Sequence, residues 1–133
     1  MEYLGHHIVL DFHGCSPTVL ADCELMRKIM SEAAVRAECH VVGEFYHEFK
    51  PHGISGCTII SESHLTIHAW PEHGYAAVDF FYCGNSVLAD LAIDYMSEMF
   101  QSGRIDRHEL GRGSVDKSGV FGSVLIAGQD FDK

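Results

Sequence analysis

Between residues 39 and 82 the chain passes through four short β-like segments with very little between them. Residues 39–49 carry Val41, Val42, Phe45 and Phe49; residues 54–60, 64–70 and 75–82 follow in quick succession. The breaks are turn signals, Pro51-His52-Gly53 and Pro71-Glu72-His73-Gly74. Strands joined by such short links pair antiparallel, because a parallel pair needs a long crossover. Further strands are expected over 4–13, where Ile8, Val9, Leu10 and Phe12 cluster, and over 104–110.

Two segments read as helices. Ser16-Pro17 offers a capping hydroxyl and a residue preset for the first turn. From about Val19 to Glu38, Leu25, Ile29, Ala33 and Ala37 recur at four-residue intervals, as on one apolar stripe. Residues 87–101 place Leu88, Leu91, Ala92, Tyr95 and Met99 on one broad face, and Gly103 is the expected stop. The order β-α-β-β-β-β-α-β implies an α+β fold, a two-layer sandwich of a mostly antiparallel sheet with two helices on one face. Several strands are apolar on both sides, so the other face needs a cover, and a partner subunit is one solution. Beyond Gly111 only the patch Val124-Leu125-Ile126 stands out, with no element assigned to it.

At 133 residues the chain fits a single domain, 1–133. A formal charge of −10 repels phosphate backbones and argues against nucleic-acid partners; it mildly favours cationic small molecules, or simply keeps the protein soluble. No apolar run reaches the roughly 18 to 20 residues of a membrane span, and Met1 to His7 lacks a secretory pattern, so a cytoplasmic address is expected. The five cysteines are odd in number and dispersed, with no C-x-x-C, which suits reduced, buried thiols rather than disulfides.

The chemistry concentrates in Ser61-Glu62-Ser63-His64-Leu65-Thr66-Ile67-His68, with Cys83 downstream. Taken alone, Ser63 reads as a turn serine. If the Glu62–Ser63 peptide is strained, however, the Ser63 hydroxyl can attack the Glu62 carbonyl and turn the amide into an ester. Loss of the Ser63 α-proton then expels the Glu62 carboxylate, and the dehydroalanine left behind hydrolyses to a pyruvoyl group with release of ammonia. That sequence needs an oxyanion donor, for which Ser55 is the candidate, and a base, for which His68 is the candidate. Alternation along a straight strand puts Ser63 and His68 on opposite faces, so the strand must bend or begin after Ser63. A pyruvoyl carbonyl is an electron sink: a substrate amine forms a Schiff base with it, carbon dioxide leaves, and the carbanion needs a proton. Cys83 is the candidate proton donor, against the plainer reading of a buried cysteine at a strand end. His64 and His68 share a strand face as two metal ligands would, but no acid or cysteine joins them at a familiar spacing, so neither a metal site nor a zinc hydrolase is expected.

Several runs of the chain together resemble one family. They are Leu4-Gly5-His6-His7, Phe49 to Gly56, Ile59 to His68, Trp70 to Ala77 and Asp79 to Gly84. These look like the S-adenosylmethionine decarboxylases of the small prokaryotic, pyruvoyl-dependent type. The resemblance implies a proenzyme that cleaves itself before Ser63, giving a fragment 1–62 and a fragment 63–133 headed by pyruvoyl. It gives Ser55 and His68 roles in processing and Cys83 the protonation of product, with no pyridoxal phosphate and no metal. It implies that Phe49 stacks on adenine, that Leu65, Trp70 and Glu72 line the pocket, and that processed units pair as a homodimer with substrate near the boundary. The product would be an aminopropyl donor for polyamines such as spermidine. Glu48 and Lys50 set charges beside Phe49, and relatives of this size also decarboxylate arginine or ornithine, so S-adenosylmethionine is the leading substrate and a basic amino acid the alternative. A non-catalytic small-ligand-binding module is the reading from a different class.

Overall fold

The short turns do what the sequence requires of them. In the computed structural model, which describes residues 2–120 and 122–128, eight strands form one sheet. They are β1 (Glu2–His13), β2 (Val41–Glu48), β3 (Ile54–Ile60), β4 (Ser63–Trp70), β5 (Tyr75–Tyr82), β6 (Arg104–Asp116), β7 (Gly119–Val120) and β8 (Val124–Ala127). The order is β2-β3-β4-β5-β1-β6-β7, with β8 also on β6, and each pairing is antiparallel. Three α-helices, α1 (Pro17–Leu20), α2 (Cys23–Arg36) and α3 (Ala89–Phe100), complete the α+β sandwich. No helix among the described residues is long and apolar enough to cross a membrane.

One face of the sheet and the helices share the core. Ile8, Leu10 and Phe12 of β1, Leu65 and Ile67 of β4, and Val78 and Phe80 of β5 are buried in one cluster with Met26, Ile29 and Met30 of α2 and Met96 and Phe100 of α3. Each such side chain contributes roughly 1.5–3 kcal/mol by leaving water. Alternate residues of the strands point to the other face, where Phe45 of β2 is 73%, Ile59 of β3 44% and Trp70 of β4 41% exposed. Strands that are apolar on this side too are what the sequence led one to expect of a face awaiting a cover.

The helices depart from expectation in detail. The segment expected as one helix over 19–38 is broken after Leu20, because two caps follow in succession. Ser16 Oγ accepts the Val19 N–H at 3.3 Å, and Asp22 Oδ1 accepts the Leu25 N–H at 3.0 Å, so a new helix starts at Cys23. The buried stripe of α2 is Met26, Ile29, Met30, Ala33 and Ala34. In α3 the buried face sits one residue later than the spacing suggested: Ala89, Ala92, Ile93, Met96 and Phe100 go inward, whereas Leu88 and Leu91 are 43% and 51% exposed. The helix stops at Gln101, which adopts a left-handed conformation (φ +57°), not at Gly103, whose N–H instead donates to the His13 carbonyl at 2.8 Å. The last strand runs on to Asp116, and Val124-Leu125-Ile126 pairs back onto it within β8.

Gly56 has a packing reason of its own. It faces Tyr46 across β2 and β3, and a Cβ built on it would lie 2.0 Å from that ring. The tyrosine in turn meets Thr58 Oγ1 at 2.7 Å, the partner of a fully buried hydroxyl. Gly56→Ala is therefore expected to lower stability by about 1–3 kcal/mol through displacement of Tyr46, read from urea unfolding of the variant beside the parent chain. Gly43, with nothing within 4 Å of its added Cβ, is the control position and should tolerate alanine.

Candidate active site

The β3–β4 register brings Ser55 directly opposite His68, and their side chains hydrogen-bond, Oγ to Nδ1, at 2.8 Å. Both belong to the open face of the sheet. Around them lies a hollow of about 260 Å³ whose lining includes Phe49, Ser55, His68, Trp70 and Glu72. Phe49 and Trp70 are 46% and 41% exposed, so two flat aromatic faces are offered to a ligand. Trp70 is itself steadied by stacking on Tyr75 at 5.3 Å.

A second group forms at the other end of β4. Ser63 opens that strand with φ +143°, a conformation that L-residues occupy at a cost of about 1–3 kcal/mol. The strand therefore neither begins after Ser63 nor shifts register between Ser63 and His68; its distortion is confined to the backbone of Ser63. The carbonyl just before it, Glu62 C=O, accepts the Cys83 backbone N–H at 2.9 Å and the Cys83 thiol at 3.4 Å. Cys83 is exposed, and Ser63 pairs with Tyr82. Nearby, Phe81 holds an aromatic cluster, with His64 stacked at 5.8 Å, His7 edge-on at 5.5 Å and the Arg112 guanidinium 5.6 Å above its ring.

The two groups do not meet within one chain. Ser63 and His68 are five residues apart on a single strand, about 16 Å at roughly 3.3 Å per residue. Leu65, expected to line the pocket, has a side chain that is fully buried on the helix-covered face; alternation sends it to the core.

Sequence reasoning missed two features. Glu62 is gripped by His40: its Oε1 accepts the His40 backbone N–H and its Oε2 meets the His40 ring Nδ1, each at 3.0 Å. These bonds hold the Glu62 carboxyl below the usual carboxylate range. The other is a cluster of Asp11, His13 and Asp106, whose ligand-type atoms lie within 4.8 Å of one another. Its members have partners: His13 Nε2 meets Asp106 Oδ2 at 3.1 Å and Tyr75 Oη donates to Asp11 Oδ1 at 2.6 Å. Burial, then the Asp11 charge, pushes the Tyr75 hydroxyl up to about 12. Only spatial pairing of β1, β5 and β6 unites these residues, so no local motif announces them. His64 and His68, four residues apart on one face, are drawn into separate settings, against Phe81 and Ser55 respectively.

Comparison with known proteins follows this geometry. A family model described as S-adenosylmethionine decarboxylase matches residues 6–113. An S-adenosylmethionine decarboxylase proenzyme from Acidithiobacillus ferrooxidans is 47% identical over 120 residues, covering 90% of each chain. The protein of the same name from Thermosipho melanesiensis is 43% identical over 120 residues, covering 90% of this chain and 92% of that one. The crystal structure of the adenosylmethionine decarboxylase from Aquifex aeolicus superposes with a TM-score of 0.81 at 34% identity, covering 88% of this chain and 97% of that chain.

The thiols supply a check on the geometry. Burial pushes Cys15 and Cys39 up to about 11, the Glu62 charge adding to the effect at Cys39, whereas Cys83 is exposed. With iodoacetamide at pH 8, peptide mass mapping should find Cys83 alkylated first and Cys15 and Cys39 unmodified until the chain unfolds. Equal labelling of Cys39 and Cys83 would contradict the arrangement.

Proposed function

The chain belongs to the S-adenosylmethionine decarboxylase family, and from that premise we propose that it decarboxylates S-adenosylmethionine through a pyruvoyl group made from its own Ser63. The observation that carries this reading is the pairing of a strained Ser63 with a Glu62 carbonyl already held by two donors from Cys83. The names of the relatives favour S-adenosylmethionine over arginine or ornithine, and the aromatic faces of Phe49 and Trp70 suit a purine better than an alkyl cation.

The residues present fit such a group. Ser63 heads β4, is only partly buried, and lies beside an exposed thiol. In processing, the Ser63 oxygen bonds to the Glu62 carbonyl carbon while the carbon–nitrogen bond breaks, moving the acyl group from nitrogen to oxygen. The positive φ of Ser63 favours the step, since opening the amide releases the conformation that the sheet imposes. A base then takes the Ser63 α-proton, the Glu62 carboxylate departs, and water replaces nitrogen, which leaves as ammonia. Once formed, the ketone supplies an electron sink for the bond that breaks as carbon dioxide is lost. Cys83 is the proton donor at that place, Phe49 and Trp70 present ring faces to the substrate, and Glu72 offers a carboxylate to hydroxyl groups.

Ser55 and His68 serve processing, His68 as base and Ser55 as hydroxyl donor, and their separation from Ser63 requires a second copy. Two chains pairing through the open sheet faces would bring Ser55 and His68 of one against Ser63 and Cys83 of the other, which places each pocket at the boundary of a homodimer. The hydroxyl and imidazole are already hydrogen-bonded to one another, so they arrive as a unit.

The purified parent chain should give two fragments by intact mass, split between Glu62 and Ser63, with a blocked N-terminus on the second. Ser63→Ala should remain whole and release no carbon dioxide from S-adenosylmethionine. His68→Ala should slow processing about 10²–10⁴-fold, the usual worth of a positioned base. Co-expressed with Ser63→Ala, the His68→Ala chain should be cut again, because its partner supplies the missing imidazole; a His68→Ala chain that stays whole in that mixture would refute the shared site.

A further inference from the structure

Glu62 is held more firmly than the chemistry of acyl transfer demands. Its carbonyl is fixed by Cys83, and its carboxylate is fixed by His40, which donates a backbone N–H to Oε1 and meets Oε2 with ring Nδ1, both at 3.0 Å. The Ser61 N–H returns to the His40 carbonyl at 2.8 Å, so the strand end and the His40 backbone are bonded in both directions. Because a carboxylate only accepts, Nδ1 carries the proton in this contact. The His40 side chain is 77% exposed while that of Glu62 is only 17% exposed, so the imidazole lies over the carboxylate as a cover. Its own backbone is anchored one residue earlier, where the Cys39 N–H donates to Ala34 C=O of α2 at 2.9 Å.

We propose that His40 is a positioning residue for self-cleavage, clamping the Glu62 side chain so that the Glu62 carbonyl and the Ser63 hydroxyl keep one mutual arrangement. The inference rests on the reading that the chain cuts itself before Ser63. A strained peptide has two ways to relax: it reacts, or it rotates. Rotation about the Glu62 backbone would swing the carbonyl away from Cys83 and relieve Ser63 without any bond being broken. The carboxylate clamp closes that route, because turning the Glu62 backbone would drag the side chain off two donors at once. Being made through the side chain, the clamp leaves the carbonyl carbon open to attack.

The test compares full-length chains made by cell-free translation, with the uncleaved fraction followed by intact mass. Asparagine at position 40 keeps an N–H donor at similar reach, whereas aspartate of equal size has none and repels the carboxylate. His40→Asp and His40→Ala should be cleaved about tenfold to a hundredfold more slowly than the parent, and His40→Asn should recover most of the rate. Equal rates for Asn and Asp, or a parent-like rate for Ala, would overturn the proposal. A parent chain that never cleaves would instead overturn the reading on which it rests, and thermal unfolding midpoints of the variants separate slow processing from a damaged fold.

Discussion

β4 is paired on both sides, and the antiparallel ladder through it decides where every candidate site residue stands. Its register with β3 sets Ser55 against His68, and its register with β5 sets Ser63 against Tyr82, one residue short of Cys83. Leu65, Ile67 and Ala69 lock that register, because a slip of one residue would carry all three from the core to the open face. Core packing and site geometry are therefore the same constraint seen from opposite sides of one strand.

That constraint also explains how strain survives at Ser63. A cost of about 1–3 kcal/mol is small beside the burial of a dozen large side chains, so the fold can impose an unfavourable φ without coming apart. The distortion sits at the first residue of β4, where Ser63 still has ladder partners on both sides while Glu62 just before it lies outside the strand. A strained residue deeper in the strand would disturb the ladder, and one in a free loop would simply relax.

How much of this could be read from the sequence follows from the range over which each feature is encoded. The central strands lie within a residue or two of their expected bounds because alternation and turn residues are local signals. The N-terminal helix was misjudged because Asp22, which lies inside the span expected as one helix, caps a new helix with its own side chain. The face of α3 was misplaced by one position since Leu88 and Leu91, large and apolar, drew the expected stripe away from the small inward Ala89. Ser63, Ser55, His68 and Cys83 could be singled out as candidates from residue type and order alone. Their division between the two ends of β4 was not legible, for it depends on reading five residues as a length. His40 gave no signal at all, being an isolated histidine in a chain that has ten.

The sheet order also says what a cut before Ser63 would do to the molecule. Residues 1–62 carry β1, β2 and β3, and residues 63–133 carry β4, β5 and β6. In the sheet, however, β1 lies between β5 and β6, while β4 runs beside β3. Each fragment thus inserts strands into the other's hydrogen-bonding pattern, and α2 from the first packs against α3 from the second. Separating them would mean breaking the β3–β4, β1–β5 and β1–β6 ladders together, which is unfolding rather than dissociation. A backbone break at the Glu62–Ser63 junction removes one covalent link and leaves the core intact. The chain can therefore give up a peptide bond at this place, where the strain is held, and keep the scaffold that positions Cys83 against the new terminus.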